Sequence, residues 1–123
     1  MKKILVLCAI ALAITGCDMD SALGLPKDKT IKYEITGTAA TVNITMSGSD
    51  GGTEQIGNVA VPWNRSFTVS VEKGSYYFAY LSAQNNGTAG SVTVKIYADG
   101  DVFKQATSDG SFVITTVSGS VDY

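Results

Sequence analysis

The segment SVTVKIYADGDVFKQATSDG, residues 91–110, decides the fold. Val92, Val94, Ile96 and Ala98 alternate with Thr93, Lys95 and Tyr97, so one face of this run is apolar and the other polar. That period of two belongs to a half-buried strand. Asp99-Gly100 follows at once, and both residue types tolerate positive φ. This is the strongest short-range signal for a two-residue hairpin. DVFKQAT then reads as the returning strand, and Ser108-Asp109-Gly110 as a further turn.

The same grammar extends in both directions. IKYEI sets Ile31, Tyr33 and Ile35 against Lys32 and Glu34, and TVNITM repeats it with Val42, Ile44 and Met46. SFTVSV offers Phe67, Val69 and Val71, and SFVITTV reads as a last strand. EQIGNVAV adds a strand broken or bulged at Gly57, where a residue without a side chain weakens pairing. SGSDGG (47–52), EKG (72–74) and NNGTAG (85–90) separate the runs as loops and turns. No window of a dozen residues has helical periodicity. Seven or eight short strands over residues 30–123 predict an all-β fold, a two-layer antiparallel β-sandwich, with a small closed barrel as the alternative. A single sheet could not hide Trp63, four phenylalanines and most of six tyrosines.

The amino-terminal segment carries a different message. Lys2 and Lys3 precede an apolar run from Ile4 to Ile14, too short for the roughly 20 residues that span a bilayer. It has the dimensions of a signal-peptide hydrophobic region. The run ends in Ile14-Thr15-Gly16-Cys17, which resembles a bacterial lipobox with isoleucine in place of the usual leucine. That resemblance implies thioether lipidation of Cys17, cleavage before it, and acylation (palmitate-type) of the new amino terminus. Two or more acyl chains hold a protein firmly where one holds it marginally. Residues 1–16 are thus read as a lipoprotein signal peptide, and 17–29 as the lipidated cysteine and a flexible tether. The expected location is the bacterial envelope, at the outer membrane or cell surface. Asp18 resembles the inner-membrane retention signal of enteric bacteria, a rule that does not hold in all phyla.

Removing the signal leaves roughly 107 residues, the size of one domain. Cys8 leaves with it and Cys17 is taken by lipid, so no thiol remains for a disulfide or a metal. The side-chain charge of what remains is about −4 at neutral pH. Its basic residues are scattered and form no patch with interleaved aromatics, which excludes nucleic acid as a partner. Histidine, the commonest general base and metal ligand, is absent. No serine or threonine is paired in sequence with a base. The chain therefore reads as non-enzymatic, with no cofactor. Asp99, Asp101 and Asp109 surround two turns and are weak candidates for a calcium cluster; the competing reading is that they are turn formers.

YYFAYL (76–81) is apolar on both faces. It predicts a central strand, or a strand with one aromatic face turned outward. One register exposes Tyr77; the other exposes Tyr76, Phe78 and Tyr80. Tyr76, Tyr77 and Tyr80 are the candidate contact surface, because exposed tyrosines favour protein or glycan contacts.

Three segments in order complete the reading: IKYEITGTAATVNITM (31–46), VAVPWNRSFTVSV (59–71) and SVTVKIYADGDVFKQATSDG (91–110). Together they resemble the MmpS family, small membrane proteins of mycobacteria and relatives. Tyr33-Glu34-Ile35-Thr36-Gly37-Thr38-Ala39 matches its YEVTGTA-like strand. Val61-Pro62-Trp63 matches its LPW segment, and Ile96 to Gly100 its I-x-V-D-G hairpin. The resemblance implies an immunoglobulin-like or transthyretin-like sandwich. It also implies an accessory role beside a large resistance-nodulation-division transporter that exports lipids or siderophores. Two departures stand out. Family members commonly sit on an uncleaved transmembrane helix, and many carry a cysteine pair in the second half. Two functions are therefore expected: a lipid-anchored accessory or protein-interaction module that supports a transporter or envelope assembly, or a small glycan- or ligand-binding module. Pro62 restricts Val61 to an extended state and marks a strand entry, with the ordinary trans bond expected. Trp63 is expected as a core plug.

Overall fold

The computed structural model describes residues 24–123. The signal-peptide segment and Cys17 lie outside the described residues. Eight strands follow in order: β1 (Lys27–Thr36), β2 (Thr41–Ser47), β3 (Thr53–Ala60), β4 (Trp63–Val71), β5 (Tyr76–Asn85), β6 (Ser91–Ala98), β7 (Asp101–Asp109) and β8 (Ile114–Asp122). They form two four-stranded antiparallel sheets, one in the order β4-β1-β6-β7 and the other β3-β2-β5-β8. The sheets do not pair with each other at their edges, so the molecule is a sandwich and not the closed barrel.

Each alternation named from sequence becomes one inward face. Ile31, Tyr33 and Ile35 of β1 and Val92, Val94 and Ile96 of β6 meet Val42, Ile44 and Met46 of β2 and Leu81 of β5 across the core. Every one of these side chains is buried, and each contributes about 1.5–3 kcal/mol of transfer free energy. Asp99 and Gly100 both take positive φ, 51° and 89°, in the two-residue turn that joins β6 to β7. Ile44 pairs with Ile56 and Val42 with Val59, so Gly57 and Asn58 together oppose Asn43. That is the bulge expected at Gly57.

Three local features depart from the sequence reading. β1 begins at Lys27, three residues inside the segment read as tether, because Lys27 to Lys29 pair with Val69 to Val71 of β4. The Val61–Pro62 bond is cis. Trp63 is only partly buried; it packs against the core margin at the start of β4, with the Arg65 guanidinium 5.6 Å from its ring centre.

Candidate functional site

β5 is an interior strand, between β2 and β8, and its period of two sends aromatics to both faces. The inward choice falls on Tyr77, 8% exposed, with Ala79, Leu81 and Ala83. Tyr76 and Phe78 point outward and are 60% and 50% exposed, and Tyr80 is half-buried on the same face. Tyr77 is thereby removed from the candidate contact surface, which passes to Tyr76, Phe78 and Tyr80. Residues two apart on a strand lie about 6.8 Å apart, so the three rings form a strip along one strand.

The reason for this register lies beneath the strip. Phe67 of β4 stands edge-on to both Tyr33 (5.4 Å between ring centres) and Tyr77 (6.1 Å), filling the space between the sheets at this end. The two hydroxyls need acceptors there. Tyr33 Oη donates to Ser47 O at 2.9 Å and Tyr77 Oη to Gly48 O at 2.7 Å. The two oxygens sit 3.3 Å apart, and each phenol proton is already engaged by a carbonyl. Burial raises the Tyr33 hydroxyl above its ordinary pKa, and burial followed by the neighbouring Tyr33 raises that of Tyr77. Both stay neutral donors, and together they hold the start of the β2–β3 loop onto the core.

That loop and the β4–β5 turn border an open cleft of about 530 Å³. Ser49, Ser70 and Ser75 bring hydroxyls to its lining and Asp50 a carboxylate, while Val69, Tyr76 and Phe78 are among its apolar residues. Asp50 Oδ1 accepts from Gly52 N at 2.8 Å, which shapes the loop. Hydroxyls, one carboxylate and aromatic edges suit contact with a protein surface or a polyol.

The three aspartates do not converge. Asp99 Oδ1 accepts from Thr30 N at 2.9 Å and its other oxygen lies 3.8 Å from Lys29 Nζ, so it clamps the β6–β7 turn onto β1. Asp101 opens β7 and Asp109 closes it; a strand of that length separates them by roughly 26 Å. The calcium reading is corrected on that distance. Among the described residues, no group of three His, Cys, Asp or Glu side chains could hold a metal ion.

Two polar centres were not singled out from the sequence. Asn85, fully buried, donates from Nδ2 to Ala89 O at 3.0 Å and to Gly110 O at 3.1 Å, while its Oδ1 accepts from Gly87 N at 2.8 Å. It ties the β5–β6 loop to the β7–β8 turn at the end of the sandwich opposite the cleft. Asn86 Nδ2 donates to Asn43 and Asn58, and Asn58 N donates to Asn43 Oδ1, which pins the β3 bulge. The only sequence signal for either was the Asn-Asn-Gly run, which reads equally well as a plain turn.

Residues 12–118 match a family described as Mycobacterium membrane protein. A probable transport accessory protein, MmpS5, of Mycobacterium bovis is 29% identical over 87 residues. A siderophore export accessory protein, MmpS5, of Mycobacterium tuberculosis matches to the same degree. In each case the match covers 71% of this chain and 58% of the relative, so the chain spans less than two thirds of the curated relatives it matches. Among the described residues no helix is long and apolar enough to cross a membrane.

Proposed function

The chain belongs to the Mycobacterium membrane protein family, and on that premise we propose that it is a non-enzymatic accessory module of a membrane transport assembly, held at the envelope by lipid on Cys17. The observation that carries the reading is the outward strip of β5. Tyr76 and Phe78 are large aromatic side chains on a flat sheet face, more than half or half exposed, and they border a hydroxyl-lined cleft. Aromatic anchors of this kind carry much of the energy in protein interfaces. The names of the relatives, transport and siderophore export accessory proteins, point to a transporter as the partner.

The lipid anchor places the sandwich relative to that partner. From Asp18 to Pro26 the tether spans at most roughly 30 Å. The module then stands close to the headgroups, within reach of the extracytoplasmic part of a transporter, at the outer membrane or cell surface. A second reading, a glycan- or ligand-binding module, is favoured by the cleft itself, whose lining combines Ser49, Asp50 and Ser75 with Tyr76 and Phe78.

A benzophenone side chain placed at Tyr76 or Phe78 in native envelopes tests both. Capture of one membrane transporter from these sites, and not from Thr68 on the opposite sheet, is the expected result. Absence of any protein adduct at saturating illumination overturns the accessory reading. Saturable binding of an oligosaccharide, lost on Phe78→Ser, would then establish the second.

A further inference from the structure

The sandwich has four edge strands, β3, β4, β7 and β8. An edge presents unpaired N–H and C=O groups, and proteins defend it with inward-pointing charges, bulges or proline. Antiparallel partners point to the same face. Glu54 of β3 pairs with Met46, and Arg65 of β4 pairs with Tyr33, so both charges share the register of core residues. They also join across the two sheets, Arg65 Nη1 donating to Glu54 Oε1 at 3.0 Å. β3 has its bulge in addition, and β4 is preceded by Pro62. β7 carries a register shift near Phe103, and Lys104 pairs with buried Ile96.

β8 has none of these devices. Its nine residues pair with β5 without a shift, from Tyr76↔Asp122 to Gln84↔Ile114. No residue from Ile114 to Val121 is charged or proline. Asn85 N donates to Val113 O at 2.9 Å, which sets the phase of this ladder. Odd-numbered residues of β8 bond to β5, and Ile114, Thr116, Ser118, Ser120 and Asp122 turn their backbone groups to the open side.

We propose that this edge pairs with the same edge of a second copy, antiparallel about a two-fold axis at Ser118. The composition of β8 fits itself in that register. Thr116 falls opposite the second copy's Ser120, and all facing residues present free backbone groups, enough for roughly ten ladder hydrogen bonds. Asp122, the strand's one charge, falls opposite the second copy's Ile114 and not opposite another carboxylate. Tyr76 lies beside Asp122 on β5, so the second copy's Ile114, 58% exposed in the single chain, comes to the level of Tyr76. Asp122 stands between the two, so Tyr76 stays on the open face, and the two β3-β2-β5-β8 sheets run on as one.

The test uses the full chain in its native membranes. Ser118→Cys puts two thiols on the two-fold axis, where facing Cα atoms are about 5.5 Å apart, within disulfide reach. Mild oxidation gives a disulfide-linked dimer of this chain. The parent protein controls for Cys17, and Gln55→Cys on β3 gives no such band. Adding Ser120→Pro removes an outward N–H without touching the ladder to β5, and the dimer band is lost. Ser120→Lys, which keeps every backbone group and adds an edge charge, abolishes it too. No dimer above the parent, an adduct with a different protein, or a dimer that survives both Ser120 variants overturns the proposal.

Discussion

At the scale of the residue, Tyr77 shows how one hydroxyl serves a loop 29 positions away. Tyr77→Phe keeps the ring against Phe67 and deletes the donor to Gly48 O. The Gly48 carbonyl keeps Gly51 N as a donor at 3.0 Å, so the loss is one net hydrogen bond, which costs about 0.5–1.5 kcal/mol. A urea titration should show the midpoint lowered with an unchanged slope. The same site makes the protein sensitive to alkali. In the unfolded chain both tyrosines ionise near pH 10; in the fold their pKa values are raised. Their stabilising effect is complete below the unfolded pKa and is lost as pH rises above it, by up to about 1.4 kcal/mol per pH unit for each. Unfolding followed from pH 9 to 11.5 should steepen above pH 10, and less so in Tyr77→Phe.

At the scale of the element, the β1–β2 connection depends on one close approach. Gly37 takes φ +133°, and a Cβ there would run into the Ser91 carbonyl and come within 3.2 Å of Val92 Cα. Thr38 and Ser91 lock the contact from both sides: Thr38 N donates to Ser91 O at 3.1 Å and Ser91 N to Thr38 Oγ1 at 2.8 Å. Gly37→Ala must therefore shift backbone against backbone, at a cost on the order of 1–3 kcal/mol or more. Thermal melting should show a lowered midpoint, and amide exchange should accelerate first at the start of β6. In sequence, the match from Tyr33 to Ala39 made Gly37 legible as part of a shared strand segment, though not its close approach to Ser91. The loss of tether to β1 was not legible, since Lys27-Asp28-Lys29 is polar and becomes a strand only because β4 lies alongside it.

At the scale of the whole molecule, the proposed attachment is tested apart from folding. A clickable fatty acid fed to cells should label the chain, and Cys17→Ala should abolish the label while the urea midpoint of the sandwich stays unchanged. Retention of label in that variant would remove Cys17 from the anchor. The signals carried by the chain alone are local. Period-two alternation and the Asp99-Gly100 turn are set by backbone geometry and steric preference within a few residues, and they yield seven or eight strands and an all-β fold; the family resemblance came separately, from the three segments 31–46, 59–71 and 91–110 taken together. Packing between the sheets sets which side of each strand meets which neighbour. Tyr76 to Leu81 is apolar on both faces, so periodicity is silent about its register, and the space beside Tyr33 and Phe67 chose Tyr77 for the interior. Asp101 and Asp109 are close in sequence yet stand at opposite ends of β7, because an extended chain turns sequence separation into length. The undefended edge of β8 likewise emerges only from strand order, since an edge is a property of what lies beside a strand and not of the strand itself.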